Sequence, residues 1–127
     1  MLLTPAQKWL LFFSAILGLL AVAAGAFGSH ALKSRLAQDQ LVIFEVAARY
    51  QMYHALAIGL ALFAAAVLSS DLATCAGWIF VVGTLIFSGS LYLLVFTGLK
   101  TFGAVTPMGG VLLLIGWFCL AISAFTK

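Results

Sequence analysis

Long apolar runs separated by short polar stretches make up most of this chain. Four of these runs lie at residues 9–27, about 53–68, 76–99 and 108–125. A transmembrane helix needs about 20 mostly apolar residues, because the hydrocarbon core of a bilayer is roughly 30 Å thick. The pattern therefore predicts an all-α integral membrane protein, with four transmembrane helices in a single domain over residues 1–127.

The second apolar run is short on its own. It is continuously apolar only from Ala55 to Leu68, a stretch of 14 residues. Extending the helix back to Glu45 restores a spanning length, and the long side chain of Arg49 can reach the headgroup region from inside the boundary. The polar stretch 45–54 is therefore predicted to form the first turns of this helix.

Polar residues between the runs predict where helices start and connect. Thr4 followed by Pro5 is typical of an N-cap and a first helical position. Residues 69–71 predict a tight polar turn in which Asp71 is solvated. Residues 100–107 predict the third connection, with the fourth helix beginning at Pro107.

The first connection has an amphipathic pattern. Leu32 and Leu36 share a helical face that the neighbouring charged residues avoid. This spacing predicts a short amphipathic interfacial segment over residues 31–38, between helices 1 and 2. Asp39 is predicted to be the N-cap of the second helix, which would begin near Gln40.

Small residues recur four positions apart along the first run. Such a stripe lets helix backbones approach closely in lipid, where van der Waals packing drives helix association. The residues predicted to form this helix-packing face are Gly18, Ala21, Gly25 and Gly28.

Charge is sparse, at 7% of residues, with six Lys and Arg in all. These six are scattered, so the net charge of +3 predicts no nucleic-acid partner. Lys33, Arg35 and Arg49 flank the first connection and Lys100 lies in the third, which favours a cytoplasmic side for both. Lys8 and the following apolar run resemble a signal peptide, but the length of the run favours a retained transmembrane helix.

Cys75 and Cys119 form no metal-binding or redox spacing. We expect both to be buried small apolar residues, with a disulfide between them as the alternative.

The polar stretch at the head of the second helix supplies the candidate polar or ligand site. Glu45 and Arg49 are four residues apart, which predicts a boundary ion pair. The alternative is that Arg49 binds an anionic headgroup or carboxylate through its planar fork. At 100° per residue, Tyr50 and His54 form a second pair on a face roughly 140° away, and Gln51 points in a third direction.

Tyr50 and Tyr53 are typical of interfacial anchors. His54 lies deeper, and we expect a buried neutral histidine bonded to Tyr50 or to another helix. Proton relay, ligand contact and metal binding remain as alternatives for His54.

His30 closes the candidate set, because antiparallel helices 1 and 2 place it on the same side of the membrane as His54. No pair of histidines or carboxylates has a metal-ligand spacing, so no metal site is predicted. No catalytic triad, phosphate loop or dinucleotide motif is present, so no catalytic residue and no cofactor is expected.

Two segments, residues 25–32 (GAFGSHAL) and 49–57 (RYQMYHALA), resemble a pair of motifs from the family called domain of unknown function 423. That family comprises small bacterial inner-membrane proteins and includes the eukaryotic transmembrane protein 256. The resemblance extends over essentially the full length, with Ser29 as a mild departure. It implies a multi-pass protein of the bacterial inner (plasma) membrane, without an established activity.

The leading functional hypothesis is a non-enzymatic interaction or accessory subunit. Its expected partners are the lipid bilayer and either further copies of itself, in a homo-oligomer, or the other subunits of a larger membrane complex. The alternative is a small oligomeric transporter or channel whose polar pocket is lined by His30, Glu45, Arg49, Tyr50 and His54. An enzyme acting on a lipid or quinone in a cleft between helices 1 and 2 is a third hypothesis.

Overall fold

The computed structural model describes residues 2–126, and within them four helices are long and apolar enough to cross a membrane. They are α1 (Pro5–Leu32), α2 (Gln38–Leu68), α3 (Asp71–Thr97) and α4 (Lys100–Ser123). The predicted all-α membrane architecture is therefore confirmed, including the extension of the second helix through its polar head.

The N-terminus of α1 and the turn after α2 form as predicted. The Gln7 backbone N–H donates to the Thr4 hydroxyl at 3.2 Å, and the Thr4 N–H donates back to the Gln7 side chain at 3.0 Å. This reciprocal pair satisfies two donors that a helix start leaves free. Ser69 ends α2 in the left-handed conformation, and the Ser70 hydroxyl accepts from the Ala73 N–H at the start of α3.

Two predicted helix starts are wrong. The N-cap of α2 is Ala37 rather than Asp39, and the Gln40 side chain accepts a hydrogen bond from the Ala37 N–H. The fourth helix begins at Lys100, so Pro107 lies inside it. Gly98, at φ 70°, already reverses the chain after α3, and membrane helices tolerate an internal proline where neighbouring helices support the backbone.

The first connection keeps its amphipathic character but little of it is helical. Leu32 and Leu36 are half-buried, whereas the residues between them are exposed. The helix ends at Leu32, whose carbonyl accepts from the N–H groups of Arg35 and Leu36 in the following turn. Before that end, α1 widens into a π-helical segment over Ala23–Gly28, which the sequence pattern did not predict.

Helices adjacent in the chain pack against each other. α2 lies between α1 and α3, α4 packs along α3, and α2 touches α4 only locally. Leu10, Ile58 and Phe80 are completely buried at the centre. Because α4 stands away from α2 over most of its length, the bundle keeps a groove on that side.

The small residues of α1 are divided between packing and open space. A Cβ on Gly18 would lie 3.8 Å from the Ala55 Cβ, and a Cβ on Gly28 would lie 3.0 Å from the Phe44 ring. Ala21 is buried. Gly25 differs, because a Cβ there would meet no atom within 4 Å. Most of the stripe is therefore used between α1 and α2.

The cysteines are both free. Cys119 is half-buried and Cys75 is exposed on α3, so the prediction of burial is wrong for Cys75. The neighbouring Ala76 and Gly77 are buried, so α3 turns these residues to the core and Cys75 away from it.

Candidate functional site

Gln51 connects three helices at the centre of the bundle. Its amide nitrogen donates to the Leu17 carbonyl of α1 at 2.9 Å, and its amide oxygen accepts from the Tyr92 hydroxyl of α3 at 2.8 Å. The side chain is buried. Both polar ends of this amide are therefore satisfied, as a low-dielectric interior requires.

Two serines tie the same helices together in a second way. The Ser14 hydroxyl of α1 donates to the Ala55 carbonyl at 2.7 Å, and the Ser88 hydroxyl of α3 donates to the Ala47 carbonyl at 2.8 Å. Both acceptors belong to α2. Interhelical bonds of this kind average about 0.6 kcal/mol in lipid, so they fix register more than they add stability.

His54 is held at both ring nitrogens. Nδ1 lies 2.8 Å from the Tyr50 carbonyl, and the Trp117 indole N–H donates to Nε2 at 3.1 Å. A carbonyl only accepts and an indole N–H only donates. His54 is therefore neutral, with its proton on Nδ1. The sequence predicted a bond to Tyr50 or to another helix, and the structure has both, the first through the Tyr50 backbone carbonyl.

A groove between α2 and α4 lies beside His54. We call it the α2–α4 groove; its volume is about 350 Å³ and its lining residues are Tyr50, Tyr53, His54, Phe87, Gly110, Leu113, Leu114 and Trp117. Its aromatic wall is continuous, with the Tyr50 and Phe87 rings 4.9 Å apart and the Phe80 and Trp117 rings 5.1 Å apart behind it.

A second groove lies on the other side of α2, against α1. This α1–α2 groove has an inner part of about 310 Å³ and an outer part of about 380 Å³, which share Gly25, Ser29 and Glu45. The inner part is completed by Ala21, Ala48, Arg49 and Met52. The outer part is completed by Ala26, His30, Lys33, Gln38 and Leu41.

The structure does not gather the candidate residues into one pocket. His30, Glu45 and Arg49 line the α1–α2 groove, whereas Tyr50 and His54 line the α2–α4 groove. The hypothesis of a single polar pocket shared by His30 and His54 is therefore wrong, because the rotation of 100° per residue along α2 turns the two sets to different sides of the helix. Gln51 lines neither groove and is buried in the core.

The predicted ion pair at the membrane boundary is not formed. Within residues 2–126, no carboxylate oxygen lies within 4.0 Å of the Arg49 guanidinium. Glu45 and Arg49 are both exposed and both border the inner part of the α1–α2 groove. Among the described residues, no three His, Cys, Asp or Glu side chains are grouped as a metal site would require.

Sequence reasoning missed two partners of the polar residues in α2. Trp117 and Tyr92 lie well inside apolar runs, where their rings look like ordinary lipid-facing or core residues. Their position inside the runs could have identified them, because Trp and Tyr in membrane helices are concentrated at the membrane interfaces. A deeply placed indole N–H or phenol O–H needs a partner inside the protein.

Comparison with known proteins agrees with this architecture. Residues 24–110 match the family described as Protein of unknown function (DUF423). A UPF0382 membrane protein from Staphylococcus aureus strain bovine RF122 is 42% identical over 122 residues, covering 94% of this chain and 97% of its own length. The UPF0382 membrane protein YwdK of Bacillus subtilis is 40% identical and covers 93% and 97%.

No solved structure matches the chain. The relatives are named membrane proteins, and the four helices are long enough to span, as in a multi-pass bacterial membrane protein. The motifs around His30 and His54 both fall inside the matched residues 24–110. The chain belongs to the DUF423 family, and the relatives it resembles are named UPF0382 membrane proteins.

Proposed function

We propose that this protein is a non-enzymatic subunit of a membrane assembly and that it joins a second copy of itself through the α2–α4 groove. The observation that carries the proposal is the contrast at this groove between bonded polar groups and exposed apolar ones. The lone pair of His54 is held by Trp117, while the apolar rim beside it remains exposed.

The hydrogen bonds of His54 and Gln51 support a structural role. A general base must have its lone pair within reach of a substrate proton. On His54 that lone pair is on Nε2, where it accepts from the Trp117 indole. Gln51 likewise has both amide ends bonded to neighbouring helices. These side chains serve to hold α1, α3 and α4 around α2.

The surface of α4 supports a second copy as the occupant. Leu114 is 71% exposed and itself lines the groove, and Val111 and Phe118 are exposed beside it. α4 thus contributes both a wall of the groove and a row of projecting side chains. A two-fold arrangement uses the same patch on both subunits, so the row of one copy can fill the groove of the other.

Gly110 gives the groove a shallow floor. A Cβ at this position would lie 3.8 Å from the Phe87 ring, and the glycine leaves that space to an approaching helix. Small residues at such crossings permit close backbone contact, which drives association where lipid removes the hydrophobic effect. Aromatic side chains around the floor are the residue types enriched at interface centres.

The test is the mass of the purified protein in mild detergent, measured by analytical ultracentrifugation across a range of protein-to-detergent ratios. We expect a dimer for the wild type. Leu114→Ala removes a projecting side chain and should weaken association about fivefold, close to 1 kcal/mol. The matched control is Leu19→Ala, which truncates a similarly exposed leucine on α1, a helix that contributes no lining residue to the groove.

A strictly monomeric wild type with no co-purifying partner would contradict the proposed function. A dimer that Leu114→Ala and Leu19→Ala weaken equally would contradict the assignment of the groove. A stable complex with a different membrane protein in place of the dimer would keep the accessory role and overturn the second copy as the partner.

A further inference from the structure

The α1–α2 groove changes from apolar to polar along its length. Its inner end is lined by Ala21, Ala48 and Met52, and its outer end by His30 and Lys33. The outer end lies beside the first connection, where the chain leaves the membrane. The groove is therefore polar near the membrane surface and apolar below it, which matches a phospholipid with its headgroup at the surface and its acyl chains below.

Arg49 stands where the polar and apolar parts meet. It is exposed, and no carboxylate of the described residues lies within 4.0 Å of it. A guanidinium presents a planar fork of donors that matches a phosphate. Arg49 lies in the first half of α2, and from such a position a long side chain can reach outward to the level of the lipid phosphates.

Ser29 supplies an independent observation in the same groove. Its Oγ atom is buried and has no hydrogen-bond partner among the described residues, and Ser29 lines both parts of the groove. An unpaired buried hydroxyl costs roughly 1–3 kcal/mol. Rotation about the Cα–Cβ bond of Ser29 would present this hydroxyl to a phosphate oxygen seated in the groove, and the resulting hydrogen bond would remove that cost.

The backbone of α1 is shaped to leave room beside these groups. The π-helical segment Ala23–Gly28 interrupts the α-helix directly before Ser29, and π-bulges occur frequently at functional sites. Within the segment, a Cβ on Gly25 would meet no atom within 4 Å. The space beside Arg49 is therefore kept by the absence of a side chain on Gly25.

The charge of the groove favours a phosphate. Its lining contains two cations, Arg49 and Lys33, and one anion, Glu45, for a formal charge of +1 with His30 neutral. At a rise of 1.5 Å per residue, Glu45 lies about 6 Å nearer the surface than Arg49. This leaves Arg49 as the cation at the junction with the apolar part.

We propose that the α1–α2 groove binds a glycerophospholipid, with the phosphodiester held by the Arg49 guanidinium and the Ser29 hydroxyl. One acyl chain lies along Ala21, Ala48 and Met52. A free phosphate ion would use only the polar end of the groove, so the apolar inner end selects the lipid. The site is on the opposite side of α2 from the proposed dimer surface, and either proposal can fail without the other.

Native mass spectrometry of the detergent-purified, delipidated protein tests this site. The probes are phosphatidylglycerol, diacylglycerol with identical acyl chains, and inorganic phosphate. We expect one tightly retained phosphatidylglycerol per chain, with diacylglycerol bound at least tenfold more weakly. Retention of diacylglycerol equal to that of phosphatidylglycerol, or binding of inorganic phosphate alone, would overturn the proposal.

Variants with matched controls locate the site. Arg49→Gln should weaken phosphatidylglycerol binding at least tenfold, whereas Arg35→Gln, which removes the same charge from the exposed turn, should leave it unchanged. Gly25→Leu should block the groove without a clash. Its control is Gly89→Leu on α3, because a Cβ on Gly89 also meets no atom within 4 Å.

The thermal unfolding temperature of each variant in the same detergent serves as the folding check. Arg49→Gln and Gly25→Leu proteins that unfold like wild type and still retain phosphatidylglycerol like their controls would refute the assignment. Should Arg49→Gln fail to fold, Gly25→Leu decides the question, since it changes no charge and removes no contact.

Discussion

The contact between α3 and α4 yields a sharp prediction from two adjacent glycines. A Cβ added to Gly109 would lie 2.8 Å from the Phe87 Cα and closer still to the Phe87 nitrogen. A Cβ added to the next residue, Gly110, would meet the Phe87 ring at 3.8 Å, an ordinary van der Waals distance. Gly109→Ala should therefore force the two helices apart, whereas Gly110→Ala should fit.

The magnitude follows from the distances. Ordinary contact begins at 3.4 Å, so the Phe87 Cα must move by at least about 0.6 Å relative to Gly109. The obstacle is helix backbone, which cannot turn aside as a side chain does, so the cost lies near the upper end of the 1–3 kcal/mol typical of overpacking. Both variants gain up to about 1 kcal/mol of helix propensity. That gain cancels, and the two should differ by about 3 kcal/mol.

The assay is equilibrium unfolding of both variants in mixed micelles, with increasing sodium dodecyl sulfate in a mild detergent. Gly109→Ala should unfold at a lower denaturant fraction than wild type, and Gly110→Ala at the same fraction or a higher one. A difference of 3 kcal/mol is more than a hundredfold in the unfolding equilibrium constant. Equal midpoints for the two variants would refute the close backbone approach of α3 and α4.

Four further predictions concern polar side chains of the bundle. Thr84 is 2% exposed and its hydroxyl has no partner in the described residues, so Thr84→Val should leave stability unchanged or raise it by about 1 kcal/mol. Ser88→Ala, one turn away, removes the bond to the Ala47 carbonyl and should lower the stability by about 0.6 kcal/mol. The same unfolding assay distinguishes the expected gain for Thr84→Val from the expected loss for Ser88→Ala. Gln51→Leu should cost about 1–2 kcal/mol in that assay, because it removes two interhelical bonds, and a gain in stability would contradict the bridging role. Trp117→Phe should shift the Nε2 resonance of one of the chain's two histidines in ¹⁵N NMR spectra and leave the other unchanged; two unchanged histidines would contradict the indole bond.

The helices could be predicted because their signals are local. A run of apolar residues of membrane length needs no tertiary information, and the Thr4–Pro5 start depends only on neighbouring residues. The predicted start of α4 was wrong for a physical reason. Lys100 and Pro107 both look like connection residues, yet Gly98 completes the turn before either is reached.

The packing around α2 could not be predicted from the pattern. In water, the apolar face of a helix marks its core side by a period of 3.6 residues. In a bilayer the lipid-facing side is apolar too, so the period is lost and the rotation of α4 around its own axis has no local signal. Trp117 therefore could not be assigned to His54, nor Tyr92 to Gln51, before the helices were assembled.

The polar stretch of α2 shows how far helix geometry alone can go. A rotation of 100° per residue correctly separates Glu45 and Arg49 from Tyr50 and His54. The rotation alone does not tell which neighbouring groups each face of α2 contacts, and those contacts decide the chemistry of each side chain. His54 meets a donor that takes its lone pair, so it stabilises the fold. Arg49 meets a groove in which no carboxylate of the described residues comes within 4.0 Å of its guanidinium. The residue hardest to explain by membrane insertion is therefore Arg49 rather than His54, and a bound phosphate would account for it.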